Sequence, residues 1–289
     1  MKSKLSRRDF LKIFGLVSAS TIAGTSGLVT YVATREPEPL EVTEVRIQLP
    51  RLSKSFSGYK IVQISDLHMG GWMNGERLQV VVDRVIEQKP DLVVITGDFF
   101  TGPVWDEKLV RAADEIAEVL PKLTADYLTL GVLGNHDYWS DAQQCRNALV
   151  RCGVTEVRNG VYTLERDGEQ LHIAGVDDIW YEHDNLDEVL SKLPETGEAI
   201  LLAHEPDFAD ISAKTGRFGL QLSGHSHGGQ IVLPVIGSPW LPRLAQKYPS
   251  GLYRVGDMWQ YTNRGVGMVD LSVRLNCPPE ISVFILEPV

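Results

Sequence analysis

The chain has 289 residues, of which 43% are hydrophobic and 23% are charged, and its formal net charge at pH 7 is −10. This length allows one large domain or two small ones, and the apolar content is sufficient for a sizeable core. An acidic chain lacks the broad basic face that neutralises nucleic-acid phosphates, so we expect no nucleic-acid partner.

The first residues resemble a twin-arginine export signal. Ser6-Arg7-Arg8-Asp9-Phe10-Leu11-Lys12 precedes an uncharged apolar stretch at 13–33. An ordinary membrane anchor with a positive cytoplasmic flank is the alternative. Cleavage stays open, because the small-residue sites are weak and the stretch is long enough to span a bilayer. The signal predicts the twin-arginine translocase as a partner and an extracytoplasmic or periplasmic location, with membrane association if the segment is retained.

We therefore divide the chain into a signal or anchor at 1–33, a Pro-containing linker at 34–39 and a globular domain at 40–289. Residues 1–33 carry five Lys or Arg and one Asp, so the remaining residues have a formal charge of −14. A phosphate-cleaving site can coexist with this acidity if metal ions supply the local positive charge.

The first half alternates strands with helices. The predicted strands are Glu41–Leu49, which is expected at a sheet edge, Tyr59–Ile64, Asp91–Thr96 and Tyr127–Leu133, and the predicted helices are Glu76–Lys89, Asp106–Leu120 and Asp141–Cys152. Asn74 is expected to cap the first helix, and Ser140 with Gln143 forms a capping-box pattern before the third. Buried apolar strands joined by helices are typical of parallel crossovers.

The second half is richer in strand. Short strands are predicted at 154–157, 161–165, 171–174, 199–203 and 218–222, with a helix at 186–193. Asn159-Gly160 and Asp167-Gly168 are hairpin signals. The fold class we predict is α/β, one domain in which two stacked mixed sheets carry helices on their outer faces, a four-layer αββα sandwich.

The cysteines do not form a disulfide framework. Cys145 and Cys152 lie seven positions apart on a predicted helix, about 10 Å by helical rise, which is too far for a disulfide. With Cys277 they number three, and we predict that all are buried small apolar residues.

Metal-type residues follow the predicted strands. The blocks are Asp66-Leu67-His68, Gly97-Asp98, Gly134-Asn135-His136-Asp137, Ala203-His204 and Gly224-His225-Ser226-His227. Carboxylate, imidazole and amide donors suit Mn, Fe or Zn. Seven candidate ligands exceed the needs of one catalytic ion but suit two divalent ions that share a carboxylate and activate a hydroxide to attack phosphorus. Gly134 is expected to free the backbone so that its neighbours face one site.

The order of these blocks resembles the calcineurin-like metallophosphoesterase family, with its D-x-H, G-D, G-N-H-D/E, H and G-H-x-H motifs. The resemblance covers most of the chain after the signal and implies a sandwich fold. It also implies roles for the matching residues. One metal would take Asp66, His68 and His227; the other would take Asn135, His204 and His225; Asp98 would bridge them. His136 would stay free of metal, next to the leaving-group oxygen, as the general acid or as a hydrogen-bond donor to the transition state.

The resemblance also bears on the substrate. Gly97-Asp98 continues as Phe99-Phe100-Thr101-Gly102, without the Asp and Arg that the protein serine/threonine phosphatases carry there. The chain looks more like the exported, membrane-associated bacterial phosphodiesterases. This implies hydrolysis of phosphodiester or diphosphate bonds in a small-molecule, lipid or cell-envelope substrate. The alternatives are UDP-2,3-diacylglucosamine diphosphatase activity on a lipid precursor, or a non-catalytic scaffold, which the complete ligand set disfavours.

Several residues keep two interpretations. Asp137 either bonds to backbone in its turn or orients a histidine, and Asp177-Asp178 either supports a ligand or caps a loop. Arg264 either binds phosphate or is an ordinary surface residue. His172 is expected to be structural and His183 a solvated loop residue. The Pro-rich stretch 232–253 is either a flap that contacts substrate or lipid, or a packed excursion.

Overall fold

The computed structural model describes residues 39–103 and 105–289. The predicted signal at 1–33 and all but the last residue of the predicted linker lie outside the described residues. In the part of the chain that the structure describes, no helix combines the length and apolar character needed to cross a membrane.

Within residues 39–103 and 105–289, twelve strands form two six-stranded sheets. They are β1 Glu41–Leu49, β2 Lys60–Ile64, β3 Leu92–Thr96, β4 Thr129–Val132, β5 Thr155–Glu156, β6 Gly160–Arg166, β7 Glu169–Gly175, β8 Glu198–Leu202, β9 Leu220–Ser223, β10 Gly251–Val255, β11 Met258–Thr262 and β12 Glu280–Pro288. The first sheet has the order β1-β12-β2-β3-β4-β5, and the second has the order β10-β11-β9-β8-β7-β6. Both sheets mix parallel and antiparallel pairs, as predicted.

The α-helices are α1 Gly75–Glu87, α2 Glu107–Val119, α3 Pro121–Thr124, α4 Asn135–Ser140, α5 Ala142–Arg151, α6 Leu186–Lys192 and α7 Ala209–Ser212. Asn74 caps α1 as predicted, with its side chain accepting the Arg77 N–H at 3.0 Å. Asp106 caps α2 in the same way. These caps satisfy backbone donors that have no partner inside the helix.

Three apolar clusters define the four layers. One lies between the sheets and includes Ile61, Leu130, Leu202 and Leu222. A second joins the first sheet to α1, α2 and α5. A third covers the outer face of the second sheet beneath α6 and α7. The predicted α/β sandwich is therefore confirmed, and the three cysteines are buried as predicted.

Two local predictions are wrong. Asn159-Gly160 does not close a hairpin, because β5 and β6 belong to different sheets. Ser140 does not cap a helix: it ends the unpredicted helix α4 and donates to the His136 carbonyl, while Asp141 caps α5. Turn and cap residues indicate where the backbone turns, but the sheet that receives the next strand is a long-range outcome.

The C-terminal ends of β2, β3, β4, β8 and β9 open at one end of the sandwich, here called the site end. β12 runs antiparallel to β2, and β1 runs parallel to β12. The first residue of β1 therefore also lies at the site end. There Glu41 N–H donates to Pro279 O, and Glu280 N–H donates to Gly265 O. The chain thus enters the domain at the end where the candidate ligands collect.

Candidate metal centre

All seven candidate ligands converge at the site end. They are Asp66, His68, Asp98, Asn135, His204, His225 and His227, and each is at most 5% exposed. Three overlapping groups have their ligand atoms within 4.8 Å of one another: Asp66 with His68 and His227, His68 with Asp98 and His136, and Asp98 with His204 and His225. The fold thus brings together residues from five separate sequence blocks.

The first group has mixed nitrogen and oxygen donors. His227 Nε2 lies 3.0 Å from His68 Nε2 and 3.4 Å from Asp66 Oδ1. His68 Nε2 lies 3.6 Å from Asp98 Oδ2. Two imidazoles and two carboxylates therefore meet in one small volume, a donor set that suits a transition-type divalent ion.

The third group and the neighbouring Asn135 contain buried atoms that lack hydrogen-bond partners. His204 Nε2 lies 3.1 Å from Asp98 Oδ2, the same oxygen that faces His68. Within the described residues, neither Asn135 Oδ1 nor His204 Nε2 has a hydrogen-bond partner. Buried polar atoms are normally satisfied, so these two require an explanation. A divalent ion would satisfy both, and the residues present therefore fit a metal.

Backbone carbonyls orient two of the imidazoles. His204 Nδ1 lies 2.6 Å from Thr96 O, and His225 Nε2 lies 2.8 Å from Arg243 O. Because a carbonyl only accepts, these nitrogens carry the hydrogens. In neutral His204 the lone pair is then on Nε2, which faces Asp98 Oδ2. Two acceptors at that distance repel unless a proton or a cation lies between them. This outer hydrogen bonding is typical of metal-ligating histidines.

Burial keeps three of the histidines neutral. It lowers the pKa of His68 and of His225 to about 3, and it lowers the pKa of His227 well below the usual range. Burial also acts to lower the pKa of His204, but the charge and hydrogen bond of Asp98, together with the charges of Asp66 and Glu205, outweigh it and raise the pKa of His204 well above the usual range. Metals bind neutral imidazole, so a proton and a cation compete at His204, and cation binding should release a proton.

Backbone strain concentrates in the ligands. Five of the seven have φ between 49° and 68°, namely Asp66, His68, Asp98, His225 and His227. Non-glycine residues seldom adopt this left-handed region. Such conformations persist where the surroundings over-determine them, and they cluster at functional sites. No sequence pattern revealed this feature.

Glycine is needed at position 134 because a side chain would not fit there, and not because the backbone conformation requires it. Its φ of −120° and ψ of 179° are extended values that any residue adopts, so the expected backbone role is wrong. A Cβ at Gly134 would lie 2.3 Å from Asp98 Oδ1 and 2.7 Å from His204 Nε2. The Asp98 carboxylate and the His204 imidazole therefore pack directly against this glycine.

We expect Gly134→Ala to fold but to bind metal poorly, because the methyl group displaces Asp98 and His204. Activity should fall about 10–100-fold, as for other changes that misplace ligands. Metal content per chain and thermal unfolding check this. Gly75→Ala is the matched control, since its Cβ would meet Glu115 Cβ at an ordinary 3.5 Å. Full metal content in Gly134→Ala would contradict the packing argument.

His136 lies beside the candidate ligands His68 and Asp98. Its N–H donates to Asp98 Oδ1 at 2.9 Å, and its ring packs against Trp139 and edge-on against His68. Its Nδ1 is buried and has no hydrogen-bond partner in the described part of the chain. Burial lowers the pKa of His136. Distance alone would also allow His136 to ligate, so its role must be tested separately.

Asp137 bonds to backbone. Its carboxylate accepts the N–H groups of Phe100 at 3.0 Å and Gly134 at 3.1 Å. It thereby ties the G-D loop to the start of α4. The turn interpretation is confirmed, and the interpretation in which Asp137 orients a histidine is not supported.

The other candidates are structural. Asp177 accepts from Tyr138, Arg146 and Arg158, which fixes the outer face of α4. Arg264 is paired with Glu280 and Glu41, so it is not available for phosphate.

The two histidines outside the motif blocks lie away from the centre. His172 is buried in β7, where its ring nitrogens meet Thr163 and Thr196. His183 is exposed and stacks on Tyr138.

Two residues that hold parts of the site in place were not among the sequence predictions. Buried Glu205 accepts the N–H groups of Ile179 and Trp180, which holds Trp180 near His225. Arg274 is 4% exposed and donates to the carbonyls of Arg264, Gly265 and Gly267, the loop that packs on Asp66. The position of Glu205 next to His204 was a usable signal, but Arg274 had none.

A cavity of about 450 Å³ opens onto the centre. Its floor includes Asp98, Asn135, His136, His225 and His227, and its walls include Trp139, Trp180, Trp240, Ile231, Pro239, Pro242, Val269 and Leu271. Within the described residues, no Lys or Arg lines this cavity. The stretch 232–253 therefore forms part of the wall, which agrees with the flap interpretation.

A family model, Calcineurin-like phosphoesterase, matches residues 59–229. The uncharacterized metallophosphoesterase YkuE of Bacillus subtilis (strain 168) is 37% identical over 287 residues, covering 98% of both chains. Phosphodiesterase YaeI of Escherichia coli (strain K12) is 30% identical, covering 96% of this chain and 98% of YaeI. The crystal structure of TT1561 of Thermus thermophilus matches with a TM-score of 0.46 at 14% identity, over 72% of this chain and 90% of that chain.

Proposed function

Because this chain belongs to the calcineurin-like phosphoesterase family, we propose that it is a binuclear metal-dependent hydrolase of phosphodiester or diphosphate bonds. One observation carries the proposal. Asp98 Oδ2 faces His68 Nε2 at 3.6 Å on one side and His204 Nε2 at 3.1 Å on the other. A single carboxylate oxygen placed between two sets of candidate ligands suits two divalent ions that share one carboxylate.

The seven side chains divide into two ligand sets. Asp66, His68 and His227 would hold one ion, Asn135, His204 and His225 would hold the other, and Asp98 would serve both. Mn, Fe and Zn fit these donors better than Ca or Mg, which prefer oxygen alone. When bound, the two ions supply Lewis acidity toward phosphoryl oxygens and acidify water.

The protein's own groups supply orientation and a proton. The Asp98 carboxylate holds the His136 N–H, which fixes the start of α4 and the base of the His136 ring. Trp139 packs on that ring and limits its rotation. His136 then presents its ring to the cavity. In its protonated form the imidazolium gives a proton to the oxygen that leaves phosphorus and becomes neutral imidazole.

The charge of the cavity favours diesters over monoesters. A monoester carries an additional negative charge that other sites neutralise with Arg or Lys. The described cavity wall has neither, and Asp270 adds a carboxylate. A diester or an internal diphosphate bond needs less positive charge, and the relative YaeI carries the name phosphodiesterase.

A lipid-linked diphosphate is the second candidate. Trp139, Trp180 and Trp240 line the cavity and give it an apolar wall next to the centre. Such walls suit acyl or other apolar groups. UDP-2,3-diacylglucosamine, suggested by the sequence resemblance, has both a diphosphate and acyl chains. A non-catalytic scaffold receives no support, because all seven ligands converge.

The location is also proposed. The Arg7-Arg8 motif and the uncharged stretch 13–33 support export by the twin-arginine translocase to the extracytoplasmic or periplasmic side. The domain division at 1–33, 34–39 and 40–289 belongs to the same proposal.

A substrate panel tests the proposed function. Metal-loaded protein should hydrolyse bis(p-nitrophenyl) phosphate faster than p-nitrophenyl phosphate, and a chelator should abolish both activities while Mn²⁺ restores them. UDP-2,3-diacylglucosamine and teichoic-acid-type polymers complete the panel. Faster monoester hydrolysis, or turnover that resists complete metal removal, would overturn the proposal.

A further inference from the structure

Four large apolar side chains are exposed in the two segments that contribute lining residues to the cavity, 229–242 and 269–271. Val235 is 106% exposed, Ile236 73%, Trp240 64% and Leu271 62%. We define these four residues as the apolar rim. Trp240 and Leu271 line the cavity, and Val235 with Ile236 forms a hairpin tip that starts from the lining residue Ile231. Grouped exposed apolar residues at a cavity mouth mark an interaction surface, whereas single ones are ordinary.

The hairpin tip is held in place. Leu233 and Gly237 exchange two N–H···O bonds of 2.9 Å, which close the turn over Pro234, Val235 and Ile236. Val235 has a φ of 70°, a left-handed value that costs free energy for a β-branched residue. The backbone thus keeps two apolar side chains in water at a local energetic cost.

The side chain of Gln230 connects the segment that carries Leu271 to the base of the hairpin that carries Val235 and Ile236. Gln230 donates from Nε2 to the carbonyls of Val269 and Leu271, and its Oε1 accepts the Val269 N–H. These hydrogen bonds link Gln230, at the base of the hairpin, to the segment that carries Leu271. The rim is a preorganised surface, since its parts are linked by hydrogen bonds rather than by chance proximity.

The course of the chain suggests what the rim meets. β1 begins at the site end, and residues 34–40 before it reach at most about 25 Å when extended. Preceding them, residues 13–33 contain no charged side chain and are long enough to span a bilayer. If those residues lie in a membrane, the short tether keeps the site end, and with it the rim, close to the lipid surface.

We propose that the apolar rim inserts into the surface of the membrane that carries this chain, so that the cavity takes phosphoester groups directly from lipid headgroups. Insertion is a binding property and is independent of the proposed function; the delivery of substrate rests on it. Residues 34–289 have a formal charge of −14, so apolar contact rather than attraction to anionic lipid drives insertion. Insertion therefore resists high salt, which weakens only exposed charge interactions.

Fluorescence quenching tests insertion. The full chain is reconstituted into phosphatidylcholine vesicles with Ile236→Cys carrying an environment-sensitive dye, which is selective because the three native cysteines are buried. Nitroxide groups on the acyl chains should quench dye 236 severalfold more than a dye on Val150→Cys, the matched control, which is 78% exposed on α5. Equal quenching at both positions would overturn the proposal. The proposal would also be overturned if the dye at position 236 became shielded without vesicles, to an extent that grows with protein concentration. That result would indicate that a second copy of the chain covers the rim.

Kinetics test delivery. Val235→Ser with Ile236→Ser should turn over soluble bis(p-nitrophenyl) phosphate at the wild-type rate, because neither side chain lines the cavity. The same variant should lose most turnover of a phosphodiester lipid held in vesicles. An equal loss of turnover on both substrates, or no loss of turnover on either, would contradict the delivery of substrate from the membrane. A wild-type chain that hydrolyses no diester would refute the proposed function, while the quenching result would still decide insertion.

Discussion

His136→Ala should keep its metal yet lose most of its turnover. The variant leaves all seven candidate ligands in place, and the contact from residue 136 to Asp98 is a backbone N–H that alanine retains. Loss of a general acid typically costs about 10²–10⁴-fold in rate. We therefore expect wild-type metal content by elemental analysis, with kcat reduced by that factor and a much smaller change in KM.

The leaving group distinguishes proton donation from simple positioning. p-Nitrophenolate leaves readily without a proton, whereas an alkoxide does not, so His136→Ala should lose more rate on alkyl diesters than on nitrophenyl diesters. His183→Ala is the control, because His183 is exposed and lies outside the cavity lining. A loss of metal in His136→Ala would show that the ring is a ligand, which its distance to His68 and Asp98 also allows. Full activity on alkyl diesters would exclude the acid role.

The second large effect concerns the Asp98 carboxylate, which we propose serves both ligand sets. Asp98→Asn should lose metal from both ligand sets, because one oxygen faces both His68 and His204. The amide removes a buried negative charge, which two neighbouring cations need. Activity should fall by at least about 10³-fold, equivalent to about 4 kcal/mol in transition-state stabilisation.

Thermal unfolding gives a readout that does not depend on activity. A ligand at 100 times its Kd stabilises the folded state by about 2.7 kcal/mol, so Mn²⁺ should raise the Tm of the wild type. Asp98→Asn should show little or no such rise. Glu198→Gln is the matched control: Glu198 is equally buried but binds Arg51 at the opposite end of β8. Its Tm should drop, yet Mn²⁺ should still raise it. A full Mn²⁺-dependent rise in Asp98→Asn would refute the bridging role.

The candidate metal ligands and the apolar side chains occupy different parts of the cavity at one end of the sandwich. Buried carboxylates and imidazoles form the floor of the cavity, and aromatic and aliphatic side chains form its walls. The ligand loops are strained, whereas the strands that carry them are packed into apolar cores. Rigid strands can hold strained loops because the free energy of packing exceeds the local backbone cost.

Much of the architecture can be predicted from local patterns. The alternation over Glu41–Leu49 predicts an edge strand, and the position of Asn74 predicts a helix cap; both are confirmed. The α/β sandwich follows from apolar runs that alternate with amphipathic segments. These features depend on residues a few positions apart, which is why periodicity and capping residues reveal them. The ligand blocks are visible for the same reason, since each follows directly after an apolar run.

The sequence by itself therefore determined the type of fold and the seven donors that converge, while tertiary structure decided how they meet. Only packing showed that Asp98 Oδ2 faces both His68 and His204, and that a side chain at position 134 would collide with Asp98 and His204. Only packing showed that Asn159-Gly160 joins two sheets. Only the insertion of β12 between β1 and β2 placed the start of β1 at the end of the sandwich where the candidate ligands collect. These relations join residues far apart in the chain, and their distances are set by long-range packing, which short-range sequence patterns do not encode.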